Sequence, residues 1–254
     1  MSNTLLLALD TSTEYCSVAL AVFPSRAFFS GLPGVTSPFR VFGLANLFIR
    51  HENTDIVSSE RLLPMVREVF DEARRDLSDC AAIAFGAGPG AFTGIRTAAG
   101  AAQGLAFALQ IPMIPVNTLL ACAQAAHMHR SAATRVLAAL DARMDEVYWG
   151  VFEWEEARAN WRTVQAATVS APEQAGAAGV FTLAGNAAAV FGARLAARAS
   201  AASIDPRALP HAAPIARLGW QRLCAGYAVP AMDAQPEYVR NRVAFKTVER
   251  IAKL

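Results

Sequence analysis

The sequence predicts an α/β protein made of two related halves, and three observations carry the prediction. The chain repeats itself: residues 6–19 read LLALDTSTEYCSVA and residues 137–150 read LAALDARMDEVYWG. Each is an apolar strand ending in Leu-Asp, then a short polar turn, then a second run rich in β-formers. Alignment puts Leu9 and Asp10 on Leu140 and Asp141, and Glu14 on Asp145. A second echo follows each hairpin, since AIAFGAGPG at 82–90 and VFTLAGNAA at 180–188 are strands running into glycine. Finally, 54% of the 254 residues are hydrophobic and 17% charged, enough apolar side chain for one large core or two smaller ones.

The elements of the first half follow from local pattern. Leu5 to Leu9 is apolar at every position, as in a central strand covered on both faces. Ser17 to Phe23 is its hairpin partner. Within 24–50, Phe28-Phe29 and Val41 to Ile49 are strand-like and are separated by the turn-rich GLPGVTSP. Ser58 or Ser59 caps a helix running to about Arg75, with Leu62, Val66, Val69, Phe70 and Ala73 on one face. Ile83 to Phe85 is a buried strand. Thr93 opens a helix over Gly94 to Leu109, and Pro112 lies past its end.

The second half begins near Asn117. Leu119 to His127 is a helix ahead of the repeated hairpin at 136–154. SAPEQ at 170–174 caps a short helix, and Ala187 to Ala199 is read as one further helix. PRALPHAAP at 206–214 is a crossover, after which the helix 215–225 returns toward the first half. The division expected is 1–115 for the first domain, completed by that helix, 116–212 for the second, and a tail 226–254 packing back on the first. The tail is basic from Gln235 on, with Tyr238, Val239 and Phe245 as apolar anchors.

Several classes of function drop out. The mean hydropathy of +0.29 owes much to alanine. Ala81 to Gly94, a long weakly polar stretch, is interrupted by Pro89 and glycines and is shorter than the roughly 20 apolar residues of a membrane span. The N-terminus lacks a basic segment and meets Asp10 early, which reads as a strand rather than a signal peptide. Cys16, Cys80, Cys122 and Cys224 have neither zinc-site nor disulfide-scaffold spacing and are expected as reduced core thiols in a cytoplasmic protein. A net charge of +2 implies no nucleic-acid footprint without a local patch. The only lysines are Lys246 and Lys253, so phosphate chemistry needing a lysine inside the fold is excluded.

Two segments could carry chemistry. Asp10, Thr11, Ser12 and Thr13 follow a central strand, where α/β folds bind ligands. The carboxylate could hold a magnesium-bound water, or Asp10 could simply cap its own turn. The segment GAGPGAFTGIRTAAG, 86–100, follows a strand and opens a helix, the context of an anion cradle. It is neither a Walker A loop nor a dinucleotide fingerprint, because Ile95-Arg96 stands where Lys-Ser/Thr is needed and no acid follows at about 20 residues. Its small residues allow another helix close, either in the core or at a protein interface. His51, His127, His129 and His211 form no metal set by spacing and read as isolated surface groups. Asp71 is expected to pair with Arg75, and Arg143 to Glu146 to form a polar turn facing the cleft.

LLALDTST at 6–13, SSERLLPMV at 58–66, FGAGPGAFTGIRTAAGAAQGLAF at 85–107, LDARMDEVYW at 140–149 and PEYVRNRVA at 236–244 together resemble the bacterial TsaB (YeaZ) family of tRNA threonylcarbamoyladenosine biosynthesis, within the TsaD/glycoprotease-like proteins. The resemblance covers essentially the whole chain. It implies an actin/hexokinase/Hsp70-like (ASKHA) fold of duplicated ribonuclease-H-like domains. It further implies a non-catalytic dimerisation or scaffold subunit, not an enzyme and not a protease. Such a subunit stabilises and activates a TsaD-like catalytic partner that transfers threonylcarbamoyl to N6 of the tRNA adenosine beside the anticodon. A TsaE-like ATPase shares the complex, tRNA is met mainly through the complex, and homodimerisation of the chain alone is left open. No metal and no required cofactor are implied, and weak ATP or ADP binding is left open. The alternative is an ATP-dependent enzyme of the same superfold.

Carried over residue by residue, Asp10, Thr11 and Ser12 match the degenerate first phosphate motif. Helices starting near Ser59 or Glu60 and spanning 94–109 match the family's dimer face. That places Leu62, Met65, Val66 and Val69 with Ala98, Ala101 and Leu105 at a protein interface, Met65 being the safer choice because Ala101 could point into the sheet. The chain departs from the family in having Ser58 where a histidine is common. An insertion of about ten residues within 24–50 is a second departure.

Overall fold

The computed structural model describes residues 3–24, 46–54 and 58–240. Phe28-Phe29, the start of the Val41–Ile49 stretch, nearly all of the region holding the expected insertion, and Phe245 with the end of the tail lie outside these residues.

The first sheet is built from β1 (Asn3–Asp10), β2 (Tyr15–Pro24), β3 (Asn46–Asn53), β4 (Cys80–Gly88) and β5 (Met113–Asn117), in the order β3-β2-β1-β4-β5. The second holds β6 (Arg135–Asp141), β7 (Val147–Glu155), β8 (Asn160–Ser170), β9 (Thr182–Ala184) and β10 (Ser203–Asp205). Counted from the opposite edge its order is β8-β7-β6-β9-β10, the same as the first. In each sheet three strands form an antiparallel meander, and two parallel strands extend it on the other side. Asp10 and Asp141 each close the first strand of their sheet, opposite Ser17 and Val147. This is the duplicated ribonuclease-H-like arrangement of the ASKHA class.

The helices divide the molecule into layers. α1 (Ser58–Ala73) and α2 (Phe92–Leu109) cover the outer face of the first sheet, packing on Leu5, Leu7, Leu9, Val18 and Leu20. α3 (Thr118–His129) and α6 (Ala212–Cys224) lie between the sheets, against Leu6, Ala8 and Ala84 on one side and Val136, Ala138 and Leu140 on the other. The short helices α4 (Ala187–Phe191) and α5 (Ala196–Ser200) cover the outer face of the second sheet. Alternate side chains of β1 thus enter two different cores, which is why its sequence is a continuous apolar run.

Several elements depart from the sequence reading. β5 reads MIPVN and escapes recognition because proline disfavours strands; Pro115 is tolerated because β5 closes the edge of the sheet, where one side needs no N–H. β8 lacks alternation because it too is an edge strand, with much of its length exposed. β10, at three residues, is too short for a pattern. The helix read over 187–199 is broken in two at Gly192, whose φ is +55°. α2 starts at Phe92 rather than after Thr93, without a side-chain cap.

Candidate functional site

The equivalent hairpins of the two halves open onto one cleft of about 700 Å³. Ser12, Thr13, Glu14 and the turn at 90–93 line it from the first half; Asp141, Arg143, Met144 and Asn186 line it from the second. The C-terminal residues Glu237 to Arg240 complete the wall. Arg143, Met144 and Asp145 all have positive φ, so the second hairpin turns tightly and presents its polar tip here.

The aspartate expected to lead the site does not reach it. Asp10 is fully buried and absent from the lining; of Asp10, Thr11 and Ser12, only Ser12 faces the cleft. Oδ2 of Asp10 accepts from the Ser12 hydroxyl at 3.1 Å, while Oδ1 has no hydrogen-bond partner among the described residues. Burial pushes the Asp10 carboxyl up from 3.8 to about 7, against the lowering effect of the Ser12 bonds. A Cβ on Gly86 would stand 2.0 Å from Oδ1, so the glycine at that position makes room for the acid. Asp141 does line the cleft, but its carboxylate is already used: it accepts from its own turn at Arg143 N (2.8 Å) and pairs with the Arg143 guanidinium (3.1 Å). Asn186, which sequence reasoning passed over inside AGNAA, accepts from Asp141 N at 2.9 Å and fixes the end of β6.

The glycine block packs tightly on the β1–β2 turn. The Thr11 hydroxyl donates to the Gly94 carbonyl at 2.6 Å, and Ala91 N donates to the Ser12 carbonyl at 2.8 Å. The β1–β2 turn therefore sits directly on the first turn of α2 and takes a donor that a phosphate would need. A Cβ on Gly94 would lie 1.8 Å from the Thr11 carbonyl oxygen. The glycines serve backbone-to-backbone packing. Neither aspartate stands ready to hold a magnesium ion, since Asp10 is buried and Asp141 is paired with Arg143, and Ala91 N at the start of α2 is already bonded. Among the described residues, no group of three or more His, Cys, Asp or Glu could hold a metal ion.

The expected interface residues need redistribution. Leu62, Met65, Val66, Val69 and Ala98 are buried in the outer core of the first sheet, because α1 and α2 must spend one face each on covering it. Ala101 and Leu105 are partly exposed, so the preference for Met65 over Ala101 is reversed. What the two helices offer outward is Leu63 (52% exposed) and Pro64 on α1, with Gly100, Gly104, Phe107 (70% exposed) and Ala108 on α2. Among the described residues, no atom fills the space above Gly100 and Gly104. Asp71 pairs with Arg67 (3.8 Å) rather than Arg75, and Glu52, Glu68 and Glu72 are joined by Arg50 and Arg61 into a network tying β3 to α1. The histidines are less isolated than their spacing suggests. His51 stacks on Tyr15 and lies 5.4 Å from His211, whose Nδ1 caps α6.

With this geometry described, comparison with known proteins is direct. The family described as "TsaD: tRNA N6-adenosine threonylcarbamoyltransferase" matches residues 52–244, well over half of the chain. The tRNA threonylcarbamoyladenosine biosynthesis protein TsaB of Haemophilus influenzae is 35% identical over 97% of this chain and 98% of its own length. The chain belongs to the TsaB (YeaZ) family. The structure of YeaZ from Pseudomonas aeruginosa is 39% identical, covering 92% of this chain and 99% of that one, with a TM-score of 0.77. A tRNA N6-adenosine threonylcarbamoyltransferase from Thiobacillus denitrificans is 44% identical, but over only 23% of this chain and 17% of its own length. Among the described residues no helix is long and apolar enough to cross a membrane.

Proposed function

We propose that this TsaB-family chain is a non-catalytic scaffold of the complex that places threonylcarbamoyl on N6 of the tRNA adenosine beside the anticodon. In that role it stabilises and activates a TsaD-like catalytic subunit, works beside a TsaE-like ATPase in the cytoplasm, and meets tRNA through the complex. The observation that supports this reading best is the state of the two strand-end aspartates. Asp10 is buried under Gly86 and Asp141 is committed to Arg143, so neither is available to position a metal or an attacking water. The surface left for work is the outward ridge of α1 and α2, where Leu63, Pro64, Gly100, Gly104 and Phe107 present apolar and small groups. The same ridge would pair two copies when the partner is absent.

The experiment is titration calorimetry of the chain against a TsaD-type protein, followed by reconstituted tRNA modification. The expected result is tight binding and strong stimulation of the partner, with no threonylcarbamoylation by the chain alone. No detectable binding would defeat the reading. The cleft of about 700 Å³ keeps weak ATP or ADP binding as a second reading. Nucleotide turnover above about 1 s⁻¹, an enzymatic scale, would favour the ATPase instead.

A further inference from the structure

The last described residues of the chain, 235–240, bridge the cleft and are bonded to both halves. On the first half, Glu237 N donates to the Ala87 carbonyl at 2.6 Å, and Asn117 Nδ2 donates to the Glu237 carboxylate at 2.9 Å. Arg96 Nε donates to the Tyr238 hydroxyl at 2.9 Å, and its guanidinium stacks 3.7 Å over the Phe92 ring. Just upstream, Gln103 on α2 donates to the carbonyls of Ala231 and Ala234. The groove is shaped to this segment: a Cβ on Gly88, whose φ is +114°, would stand 2.6 Å from the Glu237 carbonyl oxygen.

On the second half the attachment runs through Arg240. Its guanidinium donates to the Glu146 carboxylate and to the Arg143 carbonyl (3.4 Å), and it lies 5.6 Å from the Tyr148 ring centroid. The side chain is only 13% exposed. Its Nε is buried and has no hydrogen-bond partner among the described residues. A long basic side chain normally keeps its head in water. Here the desolvation is offset by a charge-assisted bond to an acid on the opposite half, which gives the contact direction and specificity.

We propose that residues 235–240 are an intramolecular clasp that holds the two halves closed over the cleft, with Arg240 on Glu146 as its latch. The halves are also joined through the core around α3 and α6 between the sheets, away from the cleft-lining residues 12–14, 89–93 and 141–144. The clasp opposes separation, and it ties the first turn of α2 to the second half. The inference is independent of any catalytic partner.

The test is hydrogen exchange by mass spectrometry on the full chain, comparing wild type with Arg240→Glu, Glu146→Arg and the double variant. Each single variant should speed exchange in the cleft segments 86–93 and 141–148 by about tenfold, the factor expected when one charge-assisted hydrogen bond is lost. Exchange in β1 and in residues 135–140 of β6 should not change. The double variant, which restores the pair with the charges reversed, should recover most of the protection. Cleft exchange in Arg240→Glu equal to wild type would overturn the proposal. Should a single variant loosen the whole fold, the double variant decides: recovery of cleft protection supports the latch, and its failure overturns it.

Discussion

Asp10 provides a quantitative test of how the site is built. A carboxyl that is fully buried, with one oxygen unpartnered and its proton retained up to about pH 7, stabilises the native state only while protonated. Its folded value lies above the unfolded value of 3.8, so the native state holds the proton more tightly. Its stabilising contribution is therefore complete below about pH 4 and is lost as the pH rises through 7. Three pH units at 1.36 kcal/mol each correspond to about 4 kcal/mol in all, of which about 2.5 kcal/mol falls between pH 5 and pH 8. Asp10→Asn keeps the shape and abolishes the ionisation. Its amide has no acceptor where Oδ1 now lies, which costs about 1–3 kcal/mol at every pH. Of the total, about 1.5 kcal/mol is already lost by pH 5, so the variant should lie within about 1.5 kcal/mol of wild type at pH 5 and be about 1–3 kcal/mol more stable at pH 8. At roughly 2–4 °C per kcal/mol for a chain of this size, the difference in melting temperature between variant and wild type should move by about 5–10 °C over that range. Urea or thermal melts of both proteins at pH 5, 6, 7 and 8 measure it, with the shared titrations of other groups cancelling. A difference that stays flat with pH would mean that Asp10 is ionised in the folded protein beside some counter-charge. The reading of this site as a buried neutral acid would then be wrong.

The other predictions separate packing from association and probe the thiols. Met65→Glu should unfold the chain because Met65 is completely buried, whereas Leu63→Glu should leave the melt within about 2 °C and weaken binding to a TsaD-type partner at least tenfold; circular dichroism and calorimetry distinguish the two. Gly94→Ala should cost about 1–3 kcal/mol or more in a urea melt, since its methyl would meet the Thr11 carbonyl and backbone cannot move aside cheaply. Cys16 and Cys80 are buried and pushed up to about 12 and 11 by desolvation, and Cys122 is also raised. Ellman's reagent should therefore find at most the half-buried Cys224 in native protein at pH 8 and all four thiols in denaturant.

The architecture was legible because its signals are local and doubled. Continuous apolar runs, a Leu-Asp terminus and a following glycine turn occur twice, and the paired sheets reproduce that repeat strand for strand. β5, β8 and β10 escaped because edge strands need satisfy only one side, so proline, polar residues and short length are tolerated there. The interface residues were misplaced for a related reason. Hydrophobicity at helical spacing marks the face that covers the sheet, and a second, outward face made of Leu63, glycines and alanines carries almost no periodic signal. Whether an aspartate at a strand end points into a cleft or beneath a glycine depends on two chain segments 76 residues apart, Asp10 and Gly86, which no local pattern reports.

The clasp completes the contrast with an open ligand cleft. In a nucleotide-binding relative of this topology, strand-end aspartates, a hydroxyl-rich turn and a glycine-led helix terminus would all face the ligand. Here each of these features is present in the sequence, and each is bonded to another part of the chain: Asp10 to Ser12, Thr11 to Gly94, Ser12 to Ala91, Asp141 to Arg143, Gly88 against Glu237. The same residues that would organise a ligand instead fix the hairpin turn of their own half, the first onto α2 and the second onto itself. Order of that kind suits the proposed docking of a partner on α1 and α2, because a pre-ordered face loses less entropy on association than one that must first be assembled.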